Sequence, residues 1–140
     1  MIILDTNVIS EMMRANPAPE VAAWFARVAP SALFTTALTK AEVFYGIALV
    51  APGRRRDDLS AAAQAMFVQD MAGRVLPFDG DAARHFAEIA ASRRQAGRPI
   101  SQIDAQIAAI ARSRGASLAT RNVDDFADCG VALINPWTAK

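Results

Sequence analysis

The chain has 140 residues, the length of a single domain that can bury a proper core. Its 15 basic and 14 acidic residues leave a net charge of +1, which excludes the broad basic surface that extended duplex binding needs. Cys129 is the only cysteine, so an internal disulfide and a cysteine-based zinc site are excluded, and Cys129 is expected to be structural. No apolar stretch reaches the roughly 20 residues of a membrane span, and the chain opens without a signal-peptide pattern, so we expect a cytoplasmic protein with no membrane partner.

The first ten residues, MIILDTNVIS, carry the strongest signal. Residues 2–4 are a short apolar run rich in β-branched residues, which predicts a buried strand. Polar residues follow, and apolar residues then return at helical spacing from Val8, so a polar corner joins this strand to a helix. Ligands of open α/β sheets bind beyond the carboxyl ends of the strands, which makes Asp5 a candidate site residue. The alternative is that Asp5 or Thr6 only caps the helix.

The remaining chain alternates between helical periodicity and short apolar runs that are bounded by Pro, Gly or polar residues. In chain order we predict a helix at 20–28, a strand at 33–38, helices at 39–50 and 59–72, a strand at 75–78, helices at 81–95 and 100–114, and strands at 117–120 and 131–134. This alternation predicts one α/β domain, 1–140, with a mostly parallel, helix-covered sheet of five strands.

Three features indicate structure rather than chemistry. The charged run at 54–58 is predicted to be a solvated loop and helix start, although its arginines could contact phosphate. His85, the only histidine, is predicted to be an ordinary helix-surface residue. The tail from Asn135 onward is predicted to pack through Trp137.

Two further acids lie at predicted helix starts. In TKAE (39–42) and in SQID (101–104) a hydroxyl residue is followed by an acid three positions later, which is typical of a capping box. Capping is therefore the structural alternative for Glu42 and Asp104, although the second box is imperfect because Asp replaces Glu or Gln.

Apolar or small residues share the helix face of each acid, so we predict that both acids begin a buried stripe, where an unpaired carboxylate costs several kcal/mol. The stripes consist of Leu38, Tyr45, Gly46 and Leu49 for Glu42, and of Ile100, Ile107, Ala108 and Ala111 for Asp104.

Asp5, Glu42 and Asp104 each lie at a strand end or a helix start, so they could converge at one edge of the sheet. No cluster of histidine or cysteine accompanies them. Carboxylate oxygens suit hard cations such as Mg²⁺ or Mn²⁺, and Mg²⁺ commonly takes further ligands from substrate phosphates. The three acids therefore point to metal-assisted phosphoryl chemistry.

Several segments occur in a recognisable order: LDTNVIS (4–10), TKAEVFYG (39–46), ISQIDAQIAAIA (100–111), LATRNVDDF (118–126) and the closing NPW (135–137). Over essentially its whole length the chain resembles PIN-domain proteins, specifically VapC-type toxins of the FitB-like group. This resemblance implies a PIN-like three-layer α/β/α fold and an endoribonuclease that depends on Mg²⁺ or Mn²⁺. By the matching motifs, Asp5, Glu42 and Asp104 are expected to be the catalytic and metal-binding acids.

The resemblance also implies roles for neighbouring residues. The family often has a fourth acid where this chain has Asn122, which can accept a hydrogen bond or hold a water but brings no charge, so one ion and two ions both stay open. Thr6 and Asn7 are expected to orient Asp5. Independently of the resemblance, Arg121 lies beside the predicted site in the sequence, so it is expected either to pair with a substrate phosphate or to be an ordinary exposed arginine.

The implied reaction is hydrolysis of an RNA phosphodiester. The ion is expected between Asp5 and Asp104, with Glu42 binding it directly or through water, and it lowers the pKa of a bound water and stabilises charge on the phosphate. A carboxylate such as Glu42 orients that water as base. Asp125 either belongs to the family's usual loop ending or caps a helix.

The partners that the resemblance implies are a small VapB/FitA-like antitoxin whose tail occupies the cleft, a second copy in a homodimer, and operator DNA contacted through the antitoxin.

Other classes stay open. A haloacid-dehalogenase-like phosphatase also places an Asp after a strand, but it requires a second Asp where Asn7 stands. A receiver domain requires an adjacent acid pair near its start, and none is present. A catalytically impaired PIN module that only binds a partner agrees with Asn122, whereas the intact set of three acids argues against it.

Overall fold

The computed structural model describes residues 1–139, and five parallel strands form its centre. The strands are β1 (Ile2–Leu4), β2 (Leu33–Thr36), β3 (Val75–Leu76), β4 (Ser117–Ala119) and β5 (Leu133–Ile134). They lie in the order β3-β2-β1-β4-β5, and every neighbouring pair is parallel. The predicted α/β fold is therefore confirmed, and β1 occupies the middle of the sheet.

Helices cover both faces of this sheet. They are α1 (Thr6–Met12), α2 (Pro19–Arg27), α3 (Ala37–Ala48), α4 (Arg54–Ala65), α5 (Gly80–Gln95) and α6 (Gln102–Ser113). A π-helical stretch, Met66–Asp70, continues α4, and short 3₁₀ turns lie at Pro30–Ala32 and Val123–Phe126. Because strand side chains alternate between faces, Ile3 packs in the core with α5 and α6, and Leu4 packs in the core with α1 to α4. The result is the expected three-layer α/β/α arrangement.

The start of α3 differs from the prediction. The helix begins at Ala37 rather than at residue 39, because the Thr36 hydroxyl accepts a hydrogen bond from the backbone N–H of Thr39 at 3.1 Å and caps it. The second strand accordingly ends at Thr36. The capping-box alternative for Glu42 is excluded, since Thr39 lies inside the helix.

The buried stripe predicted around Glu42 was also wrong. Tyr45 is 67% exposed and Leu49 is 69% exposed, and the buried residues of α3 are Thr39, Val43 and Ile47. The helix is rotated so that a neighbouring row of residues, spaced four apart, meets the sheet. Glu42 is therefore half-buried, and it lies at the border between the buried face and the exposed face of α3.

The stripe predicted beside Asp104 is confirmed. Ile107, Ala108 and Ala111 are fully buried between α6 and the sheet. Ser101 caps this helix, because its hydroxyl accepts from the backbone N–H of Asp104 at 3.2 Å. The cap places Asp104 in the first turn of α6.

Other expectations have mixed outcomes. The charged run at 54–58 is the first turn of α4 and not a loop. His85 lies on α5, but it is half-buried and its Nδ1 has no hydrogen-bond partner. Cys129 is buried in the core with α5 and α6, and Trp137 packs against the opposite core, as predicted. Within residues 1–139, no helix has the length and apolar character needed to cross a bilayer.

Candidate active site

Asp5 lies where the central strand ends and α1 begins. Its backbone N–H donates to the carbonyl of Ala119 at 2.9 Å, which continues the pairing of β1 with β4. Its carboxylate Oδ1 accepts from the backbone N–H of Thr6 at 2.8 Å, so Asp5 also caps α1. Only 5% of Asp5 is exposed. Asp5 therefore both caps α1 and lies at the carboxyl edge of the sheet.

Side chains from β4 and α1 fix the second oxygen of this carboxylate. Asp5 Oδ2 accepts from Thr120 Oγ1 at 2.8 Å and from Asn7 Nδ2 at 3.2 Å. Sequence reasoning missed Thr120, although it directly follows β4 just as Asp5 follows β1, and the strand-end rule could have found it. Asn7 contacts Asp5 as expected, and its Oδ1 accepts from the backbone N–H of Arg121 at 3.1 Å.

Thr6 connects Asp5 to Glu42. While its backbone N–H donates to Asp5, its hydroxyl donates to Glu42 Oε1 at 2.6 Å and lies 3.2 Å from Thr39 Oγ1. A hydrogen bond this short to a carboxylate is of the charge-assisted kind. The side chain of Glu42 is therefore held against the start of α1.

Asp104 reaches the same edge from the other face of the sheet. The helix α6 immediately precedes β4 and runs antiparallel to it, so its first turn lies at the carboxyl ends of the strands. Burial is the main cause that raises the pKa of Asp104, and the charges of Asp125 and Glu42 raise it further, while a hydrogen bond with Ser101 and the charge of Arg93 oppose them. Asp104 is half-buried.

The three acids share one electrostatic environment. Burial is the main cause that raises the pKa of Asp5, and the charges of Asp104 and Glu42 add to it against the hydrogen bonds from Thr120 and Thr6. Within residues 1–139, no ion pair involves any of the three carboxylates. In that part of the chain, none of the three carboxylates is directly paired with a cation, and Arg93 acts on Asp104 only from a distance. A divalent ion would relieve the repulsion among them.

The surface between the three acids, the acidic cleft, does not form a closed shell. Across the part of the chain that the structure describes, no three Asp, Glu, His or Cys side chains are grouped tightly enough to hold an ion as they stand. A groove of about 600 Å³ adjoins this cleft, is lined by Thr6 and Glu42, and continues along α1 and α3 to Leu59. The cleft is thus open on the side of Glu42.

The loop after β4 carries the remaining candidates. Asn122 is exposed, and its backbone N–H donates to Thr120 Oγ1 at 3.1 Å. Asp125 is exposed within the turn Val123–Phe126 and caps none of the described helices, which excludes one of its two alternatives. Arg121 is exposed, and its guanidinium carbon lies 4.9 Å from the centre of the Trp137 ring.

Sequence reasoning missed the buried Arg93. This residue is 6% exposed and donates from Nε to the carbonyl of Arg98 at 2.7 Å. From Nη1 it donates to the carbonyls of Asp125 at 2.9 Å and Ala127 at 3.0 Å. It thereby ties the turn that contains Asp125 to the segment that leads into α6. Basic residues abound near it in the sequence, and nothing in their pattern singles out the buried one.

Fold and site together define an α/β/α protein with a carboxylate-lined cleft at the carboxyl edge of a parallel sheet. The model of the PIN domain family matches residues 2–131, and the chain belongs to that family.

Individual relatives cover nearly the whole chain. It is 40% identical over 137 residues to the VapC ribonuclease Y4jK of Sinorhizobium fredii, with 98% of each protein covered. It is 36% identical over 137 residues to the toxin FitB of Neisseria gonorrhoeae, covering 98% of this chain and 99% of that protein. The solved structure of FitAB bound to an IR36 DNA fragment superposes with a TM-score of 0.92 at 36% identity, covering 100% of this chain and 98% of that one. The resemblance drawn from the motifs is confirmed.

Proposed function

We propose that this chain is the toxin of a type II toxin–antitoxin pair, an endoribonuclease that hydrolyses RNA phosphodiester bonds with the help of Mg²⁺ or Mn²⁺. The proposal assigns Asp5, Glu42 and Asp104 to metal binding and catalysis. The observation that carries it is that these acids, distant in the chain, come together at one edge of the sheet, where Thr6 donates to both Asp5 and Glu42 and the charge of Asp104 acts on Asp5. The chain's similarity to a VapC ribonuclease and to the toxin FitB supports the same activity.

The donor set fits a hard divalent ion. All candidate ligands are carboxylate oxygens, and Mg²⁺ usually binds one or two carboxylates and keeps several waters. An open arrangement of acids suits an ion that keeps several of its waters better than a closed cage of ligands would. Asp5 and Asp104 would hold the ion, and Glu42 would bind it directly or through water.

The residues of the chain have separate tasks in this reaction. A bound divalent ion supplies an activated water and neutralises charge on the phosphate. Thr120 and Asn7 keep the carboxylate of Asp5 in one orientation through their hydrogen bonds to Oδ2. Thr6 holds Glu42 at the open side of the cleft, where Glu42 orients the attacking water and accepts its proton.

We further propose the partners that belong to this function. A VapB/FitA-like antitoxin would cover the cleft, the toxin would act as a homodimer, and operator DNA would be contacted through the antitoxin. The similarity to FitAB, whose solved structure contains a DNA fragment, supports this assembly.

Cleavage of RNA by the purified chain tests the proposal. With Mn²⁺ or Mg²⁺ present, the wild-type protein should cut a labelled RNA, EDTA should stop the reaction, and Asp5→Asn and Asp104→Asn should reduce it to background. Glu42→Gln should slow it by about 10²–10⁴-fold. Asp57→Asn, at an exposed acid of α4, is the matched control and should cleave at the wild-type rate.

The same assay separates the alternatives. Cleavage that persists in EDTA, or in both Asp variants, would exclude the metal mechanism. A partner-binding module without activity should neither cut RNA nor bind Mn²⁺ tightly. A phosphatase should instead release phosphate from a simple monoester such as p-nitrophenyl phosphate. Circular dichroism of each variant distinguishes a lost site from a lost fold.

A further inference from the structure

Arg121 and Trp137 form a cation–π pair beside the acidic cleft. The guanidinium carbon of Arg121 lies 4.9 Å from the centre of the indole ring, within the roughly 6 Å range of a cation–π contact. Trp137 is half-buried against the core on the side of α1 to α4, and its backbone N–H donates to Asn135 Oδ1 at 2.9 Å. The ring is therefore a fixed platform for an exposed cation.

Both residues reach this place from adjacent strands. Arg121 follows β4 and Trp137 follows β5, and the backbone N–H of Thr120 donates to the carbonyl of Ile134 at 2.9 Å where the strands end. The backbone N–H of Arg121 donates to Asn7 Oδ1 at 3.1 Å, and Asn7 in turn donates to Asp5. The position of Arg121 is thus coupled through one side chain to the central carboxylate.

The guanidinium has no partner of its own. Among the described residues, Arg121 takes part in no ion pair, and its side chain donates no hydrogen bond. The contact with the ring uses none of the guanidinium N–H groups, and a pair of such N–H groups matches the geometry of a phosphate. The cation is therefore presented without an internal counter-ion.

A cation beside the cleft favours an RNA substrate in addition to the proposed metal ion. Three carboxylates repel a polyanion, and the net charge of +1 supplies no general attraction to compensate. A single positioned arginine supplies local attraction, and holding its side chain in advance removes about 0.5–1.5 kcal/mol of ordering cost on binding.

We propose that Arg121, held against the ring of Trp137, binds a phosphate of the RNA that flanks the scissile bond. Arg121 is a substrate-binding residue in this proposal, and Trp137 is a positioning residue that acts through it. The proposal rests on the proposed ribonuclease function.

A double-mutant cycle on RNA cleavage tests it. Arg121→Met should raise KM about tenfold with little change in kcat, because a charge-assisted contact made equally in the ground and transition states is lost. The slope of log KM against log salt concentration should fall by about 0.7, the value for one phosphate of a single strand. Arg121→Lys should recover part of the loss. Arg84→Met, at an exposed arginine of α5, is the control and should leave KM and the salt slope unchanged.

Trp137 provides the decisive comparison. Trp137→Leu should raise KM in the presence of Arg121 and have no further effect in the Arg121→Met background, whereas Trp137→Phe keeps a ring and should remain near wild type. If Trp137→Leu does not fold, Trp137→Phe and Arg121→Met still test the proposal.

Two results would overturn it. One is that Arg121→Met still cuts RNA with an unchanged KM and an unchanged salt slope. This result overturns the proposal also if the variant binds a protein partner more weakly. The other is additive effects of the two substitutions. A wild-type protein that fails to cut RNA at all would reject the ribonuclease function itself, and the inference with it.

Discussion

Replacing Arg93 with methionine should destabilise the protein substantially. The change keeps most of the aliphatic volume but leaves the carbonyls of Arg98, Asp125 and Ala127 without their donor. A buried polar group without a partner costs about 1–3 kcal/mol, and these carbonyls belong to surface segments that water can reach, so the lower end applies to each. We expect a loss of about 3 kcal/mol in the free energy of unfolding, or about 10 °C in Tm for a chain of this size.

Urea denaturation followed by circular dichroism measures this loss. Arg94→Met is a matched control, because Arg94 is the next residue of α5 and is exposed, and it should change the free energy of unfolding by less than about 0.5 kcal/mol. Arg93→Lys should lie between the two, since an ammonium group can reach some of the three carbonyls. An Arg93→Met variant within about 0.5 kcal/mol of wild type would refute the reasoning.

Three further predictions concern the cleft. Burial raises the pKa of Asp5 in the folded protein, so protonation of Asp5 favours folding. The free energy of unfolding of metal-free wild type, relative to that of Asp5→Asn, should be greatest below the ordinary pKa of 3.8, should fall as pH rises through the raised pKa of the folded state, and should then level off. A difference that does not change with pH would contradict this. Thr6→Val should lower kcat about tenfold by releasing Glu42, and Thr6→Ser should not; equal rates would show that this hydrogen bond is dispensable. Saturating Mn²⁺ at a hundred times Kd should stabilise wild type by about 2.7 kcal/mol in thermal unfolding, and an equal shift in Asp104→Asn would count against its role as a ligand.

The elements of the fold were largely predictable from sequence, because short apolar runs and helical periodicity alternate clearly. The start of α3 was not. Thr36 and Thr39 both have a hydroxyl suited to capping and are three residues apart, and only the end of β2 decides between them. The buried face of α3 was misassigned for a related reason, since apolar residues occur on two neighbouring rows and packing selects Val43 and Ile47.

The acidic residues of the site could be nominated because strand ends and helix starts meet at one edge of a parallel sheet. Their supporting contacts could not. Thr120 and Arg93 are ordinary residues whose importance arises from partners far away in the chain. The contact between Arg121 and Trp137 depends on β4 and β5 being neighbours, which follows from tertiary structure alone.

The three acids differ in how firmly the scaffold anchors them. Asp5 is fixed by backbone pairing in the middle strand and by its cap of α1, whereas Glu42 and Asp104 project from two helices on opposite faces. Ions of different radius would be accommodated by adjustment of these two side chains while Asp5 stays in place. Under the proposed function, metal selectivity would therefore be tuned through α3 and α6 without disturbing the centre of the sheet.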